Sequence, residues 1–139
     1  MLATWVPRLI FATATIHCIY GLVQPNQWGD IVRDGVVASV VDAGSPDYFA
    51  RDASVWFMTC GIALLAIGAL TQFAVTQTGS IPASVGWFLV AIGIPLSLIY
   101  FPVSGGWLVL AVGVIALLAA RQSTRTRKTQ TSIVEPFLG

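Results

Sequence analysis

The only histidine of the chain, His17, belongs to a stripe of polar side chains in an otherwise apolar segment. The members recur at i, i+4, i+7 and i+11 of a helix and are Thr13, His17, Tyr20 and Gln24. His17 lies nine residues beyond Arg8, about 13 Å along a helix axis, which is near the middle of a ~30 Å hydrocarbon core. Ionisable residues inside a membrane are costly and usually face the protein interior, so the stripe is predicted to face other helices.

Three kinds of chemistry fit a histidine at this depth. It can bond to a neighbouring hydroxyl or carbonyl and only fix the packing, it can transfer protons or bind a ligand, or it can ligate a metal ion. A proton-transfer role needs a partner that orients the ring or acts as a second acid. The predicted catalytic set is therefore His17, Asp52 and Tyr100, with ordinary interfacial charge as the alternative role for Asp52.

A second group of side chains is predicted to line an outward-opening apolar pocket above His17. Its aromatic members have an alternative role as membrane-interface anchors, because Trp and Tyr are enriched where a bilayer meets water. The predicted binding residues are Thr13, Tyr20, Gln24, Trp56, Thr59, Ser97 and Trp107.

The sequence predicts no metal and no cofactor. Cys18 and Cys60 are expected to be buried free thiols, with a disulfide between them as the alternative. With His17 they provide at most three metal ligands without a recognisable spacing. No Cys-x-x-Cys, His-x-x-x-His or glycine-rich phosphate loop is present, and one histidine is a poor ligand set for haem.

The composition indicates which elements hold these side chains. Of the 139 residues, 56% are hydrophobic and 9% are charged, whereas a soluble domain carries about 25% charged residues. High hydrophobicity excludes intrinsic disorder, and a net charge of +1 leaves no basic surface for nucleic acid. The chain is therefore predicted to be a small integral membrane protein whose partner is the lipid bilayer.

Charges and turn residues mark the predicted spans. No charged residue lies between Asp52 and Arg121, and two polar turns, at 76–82 and 102–105, interrupt this stretch. We predict an all-α bundle of four transmembrane helices at 6–24, 53–75, 83–101 and 104–120. Ser45–Pro46–Asp47 is a helix-start signal ahead of the second span.

Two segments outside the spans complete the predicted organisation. The segment Asp30–Asp42 is apolar between charged ends and too short to span, so it is predicted to be a short interfacial or re-entrant helix. Residues 1–120 form the predicted transmembrane domain, and residues 121–139 form a basic tail predicted to be disordered. Basic residues favour the cytoplasmic side, so both termini are predicted to be cytoplasmic in a multi-pass protein of the inner (plasma) membrane.

Glycine pairs are predicted to hold the helices together. Three spans each carry two glycines seven residues apart, which places each pair on one helix face: Gly61 with Gly68, Gly86 with Gly93, and Gly106 with Gly113. Small residues let helices approach closely in lipid. The same faces offer a possible route to a homo-oligomer.

Several of these features occur in an order that resembles a known family. They are His17 and Gly21, Asp34–Gly35–Val36–Val37, Val55–Trp56–Phe57 before Gly61 and Gly68, Ile81–Pro82 before Gly86–Trp87, and Pro102–Val103–Ser104–Gly105–Gly106–Trp107–Leu108. Over about residues 8–120 the chain resembles a family of small bacterial four-helix membrane proteins of unknown function. Gly106 stands where that family often has an aromatic residue. The resemblance implies the fold and supplies no activity.

Three classes of function fit the sequence. The first is cofactor-independent acid–base isomerisation or cyclisation of a lipid-like, terpenoid-like or polyketide-like molecule. The second is binding or transport of an apolar small molecule without chemistry, and the third is an accessory subunit of a larger membrane complex. A closed pocket around His17 favours the first two, whereas a glycine face open to lipid favours the third.

Overall fold

The computed structural model describes residues 2–36 and 42–134, with side chains described through residue 124. Its described part is helical and contains no strand. The five helices are α1 (Leu2–Val23), α2 (Trp28–Arg33), α3 (Tyr48–Thr78), α4 (Ala83–Tyr100) and α5 (Gly106–Val134).

Four of these helices are long and apolar enough to cross a membrane. The candidate spans are Leu2–Val23, Tyr48–Thr78, Ala83–Tyr100 and Gly106–Thr124. This confirms the predicted all-α fold with four apolar spans, and the chain is described below as a membrane protein.

The second span is longer than the hydropathy pattern predicted. Helix α3 has 31 residues, or about 46 Å, and therefore exceeds a ~30 Å hydrocarbon core. It begins directly after the predicted start signal: the Tyr48 N–H donates to the Ser45 carbonyl, and the Arg51 N–H donates to the Asp47 carbonyl. Arg51 and Asp52 thus belong to the first turns of the helix, as that signal indicated.

The loop before α3 differs from the prediction of one helix over Asp30–Asp42. Helix α2 starts earlier and ends at Arg33, and the Asp34 N–H caps it by donating to the Asp30 carbonyl. Gly35 follows with φ of 84°, a left-handed conformation that stops the helix and suits glycine. The predicted remainder includes residues 37–41, which lie outside the described residues.

Helix α5 continues into the segment predicted as a tail. Its backbone remains helical to Val134, and the hydroxyls of Ser123 and Thr124 donate to the carbonyls one turn earlier. The domain boundary at residue 120 stays a prediction, and residues 135–139 lie outside the described part.

The chain divides into two compact units, one of residues 1–13 with 67–139 and the other of residues 14–66. In the first unit, α4 packs tightly on α5 through glycines. A Cβ placed on Gly93 would lie 2.5 Å from the Leu110 backbone nitrogen, and one on Gly113 would lie 2.8 Å from the Val90 nitrogen. Gly86 and Gly106 make similarly close contacts with Leu117 and Leu96, and Gly68 meets Phe11.

The second unit uses glycine in the same way. A Cβ on Gly61 would lie 2.5 Å from Cys18 Sγ, and one on Gly21 would lie 2.7 Å from the Phe57 ring. Glycine therefore lets α1 and α3 approach closely in this unit, as it does for α4 and α5 in the other. The predicted role of the glycine pairs as helix–helix contacts is confirmed.

Candidate functional site: the His17 cluster

The His17 ring packs against α3. Its Nε2 is 2.9 Å from the Phe57 carbonyl oxygen, and its ring stacks on the Phe57 ring with centroids 3.9 Å apart and planes 8° apart. A carbonyl oxygen only accepts hydrogen bonds, so Nε2 carries the hydrogen and donates it. The bond to a carbonyl is the one foreseen in the packing alternative for His17.

Gly61 makes this contact possible. It lies one turn after Phe57 on the same face of α3, and a Cβ there would be 3.1 Å from His17 Cδ2. Cys18 also lies against Gly61, so two neighbouring side chains of α1, His17 and Cys18, pack into the space left by the missing side chain of Gly61. We call His17, Cys18, Phe57 and Gly61 the His17 cluster.

The other ring nitrogen of His17 has no partner in the part of the chain that the structure describes. Nε2 and Cδ2 form the ring edge that faces α3, so Nδ1 lies on the edge away from Gly61. No hydrogen bond to Nδ1 occurs among the described residues. In a neutral ring with the hydrogen on Nε2, Nδ1 is a hydrogen-bond acceptor.

The rest of the polar stripe is spread around this cluster. The Tyr20 ring is 6.3 Å from the Phe57 ring at 38°, and Tyr20 is 38% exposed. Gln24 is exposed at the end of α1, and Thr13 is half-buried in the other unit. His17 and Tyr20 therefore meet the same ring, whereas Thr13 and Gln24 do not share a described contact with it.

Asp52 is not joined to His17 by a hydrogen bond or ion pair among the described residues. It lies five residues before Phe57 and nine before Gly61, which places it on the opposite side of α3 from Gly61. Trp56 is 60% exposed, and the Thr59 hydroxyl donates to the Val55 carbonyl of its own helix. The catalytic partnership of Asp52 stays a prediction that these contacts do not support.

The remaining predicted residues belong to the other unit. Tyr100 and Trp107 are exposed, and they lie at the end of α4 and the start of α5. The Ser97 hydroxyl is enclosed and has no hydrogen-bond partner among the described residues. Their predicted part in a site with His17 stays a prediction.

A charged network at the start of α3 was missed by the sequence reasoning. Arg51 is 7% exposed, and its Nη2 lies 2.6 Å from Asp34 Oδ2. Asp34 Oδ1 also pairs with Arg33 Nε at 3.1 Å, and Arg33 Nη2 pairs with Asp30 Oδ1 at 2.6 Å. The signal was the presence of two Arg–Asp neighbour pairs, Arg33–Asp34 and Arg51–Asp52, in a loop that holds five Asp and only these two Arg.

The network shifts the pKa values of Asp34 and Arg33. The hydrogen bond from Arg51, and after it that from Arg33, holds the pKa of Asp34 below its ordinary value. The pKa of Arg33 is raised, first by its hydrogen bond with Asp34 and then by the charge of Asp30. Together with the bond from the Gln27 N–H to the Ser54 hydroxyl, the network ties the α2 segment to the start of α3.

The described residues contain no group of three His, Cys, Asp or Glu side chains that could hold a metal ion. Cys18 and Cys60 are free thiols, Cys18 half-buried and Cys60 exposed. The expectation that both are buried is therefore wrong for Cys60, whose neighbour Gly61 takes the face of α3 that meets α1.

Comparisons with known proteins give a family and no activity. No curated protein and no solved structure matched the chain. A family model described as a family of unknown function, DUF6463, matches residues 1–123. This range includes the His17 cluster, three of the candidate spans and all but the last residue of the fourth, and the chain belongs to the DUF6463 family.

Proposed function

We propose that this membrane protein binds an apolar small molecule from the bilayer at the His17 cluster, without chemical conversion. The observation that carries the proposal is the half-used His17 ring: Nε2 is bonded to Phe57, and Nδ1 has no described partner. A side chain needed only to join α1 to α3 does not require a second polar atom in an apolar span.

The surroundings support binding of an apolar body. Phe57 fixes the His17 ring by stacking, and Tyr20 approaches the same aromatic ring. Tyr20 is 38% exposed and presents aromatic surface beside the cluster. Sites for small molecules are typically apolar and aromatic, with a few placed polar groups that orient the ligand.

Acid–base isomerisation or cyclisation of the same molecule is the second candidate. Nδ1 can accept a proton while Nε2 stays bonded to Phe57, so the structure offers a general base for this reaction. No second titratable side chain bonds to His17 among the described residues, and Asp52 lies on the opposite side of α3 from Gly61. Binding without chemistry is therefore our first proposal.

Location and assembly belong to the proposal. We place the protein in the inner (plasma) membrane with both termini cytoplasmic, since the basic segment after Arg121 and the five aspartates of the first loop favour that orientation. The glycines proposed as an oligomer interface already contact segments of their own chain, so they give a homo-oligomer little support.

The proposal is tested by comparing what copurifies with two variants. The wild type, His17→Phe and Cys60→Ser are extracted from native membranes into nanodiscs without detergent, and apolar compounds are measured by mass spectrometry. Cys60→Ser is the matched control, because Cys60 is exposed on α3 beside Gly61.

We expect one compound to be enriched over the bulk lipids with the wild type and the control, and to be lost with His17→Phe. Identical compounds in identical amounts from all three proteins would contradict the proposal. If the enriched compound is converted on incubation, and His17→Phe slows conversion by about 10²–10⁴-fold, the acid–base candidate replaces simple binding.

A further inference from the structure

We infer that the molecule bound at the His17 cluster carries a hydroxyl group that donates a hydrogen bond to His17 Nδ1. This inference rests on the proposed function and narrows it to one chemical class, the uncharged apolar alcohols and phenols. The bond between Nε2 and the Phe57 carbonyl is the starting point.

That bond decides which ring nitrogen of His17 can accept a hydrogen bond from a ligand. The Phe57 oxygen has no hydrogen to give, so the hydrogen in the 2.9 Å contact belongs to Nε2. A 180° rotation of the ring about Cβ–Cγ would put Cε1 in place of Nε2 and remove this hydrogen bond, so the bond holds the ring in the observed orientation, stacked on Phe57 with planes 8° apart. In the neutral ring, Nδ1 then offers a lone pair and no hydrogen.

The hydroxyls nearest in sequence on α3 are already used. The Ser54 hydroxyl donates to the Ala50 carbonyl, and the Thr59 hydroxyl donates to the Val55 carbonyl. Cys18, the neighbour of His17, lies against Gly61. Tyr20 makes no described hydrogen bond to His17 and is therefore the protein group that the experiment must exclude.

The depth of His17 in the membrane further limits which chemical group can be the hydrogen-bond donor. A lone pair in the hydrocarbon region has no bulk water to bond, so a donor brought by an apolar molecule satisfies it. Carboxylates and fully ionised phosphates only accept hydrogen bonds, and they are costly to bring to this depth. A hydrocarbon or an ether has no hydrogen to give. A hydroxyl on an apolar body meets both requirements.

The experiment uses the full chain in phosphatidylcholine nanodiscs with two probes, farnesol and farnesyl methyl ether. The probes share one apolar body, and only farnesol can donate a hydrogen bond. Because the chain has one histidine, ¹⁵N-histidine labelling gives one Nδ1 and one Nε2 signal. Labelled Phe57 reports whether either probe occupies the cluster, whatever its polar group.

We expect farnesol to shift the Nδ1 signal toward the hydrogen-bonded position, while Nε2 is unchanged and Phe57 responds. The ether should leave Nδ1 unchanged and bind roughly threefold to tenfold more weakly, the usual value of one net hydrogen bond. Without any probe, Tyr20→Phe, which keeps the ring near Phe57 and removes only the hydroxyl, should show the same Nδ1 signal as the wild type.

Two outcomes separate the inference from the proposed function. If both probes change Phe57 equally and neither shifts Nδ1, an apolar molecule binds but its hydroxyl does not, and the inference alone is wrong. If neither probe changes Phe57 or His17, both the inference and the binding site are wrong. A hydrogen-bonded Nδ1 without any probe, lost in Tyr20→Phe, would also overturn the inference.

Discussion

Replacing Gly93 with alanine tests the close approach of α4 and α5. A Cβ on Gly93 would lie 2.5 Å from the Leu110 nitrogen and 2.6 Å from its Cα, about 0.9 Å short of ordinary contact. These atoms are backbone and cannot rotate away, so one helix must retreat. Overpacking of this kind costs typically ~1–3 kcal/mol, and a rigid backbone neighbour favours the upper part of that range.

An opposing effect must be subtracted. Alanine is favoured over glycine inside a helix by ~1 kcal/mol, so the expected net loss for Gly93→Ala is about 1–2 kcal/mol in the free energy of unfolding. Gly61→Ala should cost less, because its first clash is with the Cys18 thiol, a side-chain atom that can move. Gly29→Ala is the control, since no atom lies within 4 Å of a Cβ at that position.

The assay is reversible unfolding of each variant in the same micelles, followed by circular dichroism. We expect Gly93→Ala to be the least stable of the three and Gly29→Ala to be at least as stable as the wild type. Equal or higher stability of Gly93→Ala relative to Gly29→Ala would refute the close packing of α4 on α5.

Three further predictions concern the loop and the topology. Arg51→Met and Asp34→Asn should each speed amide hydrogen exchange in residues 27–36. The control Asp47→Asn, which removes an exposed carboxylate, should not. Equal exchange rates in all three variants would show that the Arg51–Asp34 ion pair does not hold the loop. The pair's stabilisation should be complete above the ordinary aspartate pKa and lost as pH falls through the lowered pKa of Asp34, and an acid unfolding profile unchanged by Asp34→Asn would contradict this. A cysteine engineered at Gln130 should resist an impermeant thiol reagent added outside intact cells, and labelling from outside would reverse the proposed orientation.

Much of the fold could be predicted from the sequence because lipid imposes simple requirements on it. The charge-free stretch between Asp52 and Arg121 required membrane helices, and its polar turns divided them. Glycines at seven-residue spacing indicated packing faces, and the structure puts Gly61, Gly93 and Gly113 in contacts. The end of α2 was missed because it depends on one backbone conformation, the left-handed Gly35.

The site was less predictable because helix rotation is not visible in a uniformly apolar sequence. His17 was recognised from its depth, but which α3 residues it meets depends on the seating of Cys18 against Gly61. That register gives His17 the Phe57 carbonyl and turns Asp52 to the other side of α3. Arg51 instead pairs through Nη2 with Asp34, a pairing set by the path of the chain after α2.

The state of His17 Nδ1 in native membranes tests the central claim most directly. The single histidine allows its ¹⁵N spectrum to be recorded in unextracted membranes and again after delipidation and return to pure phosphatidylcholine. If the cluster holds an apolar ligand with a donor, Nδ1 is hydrogen-bonded in native membranes and becomes a free acceptor after delipidation, while Nε2 stays bonded to Phe57. An Nδ1 signal that is the same in both samples, whether it reports a free acceptor or a hydrogen-bonded one, would contradict the account.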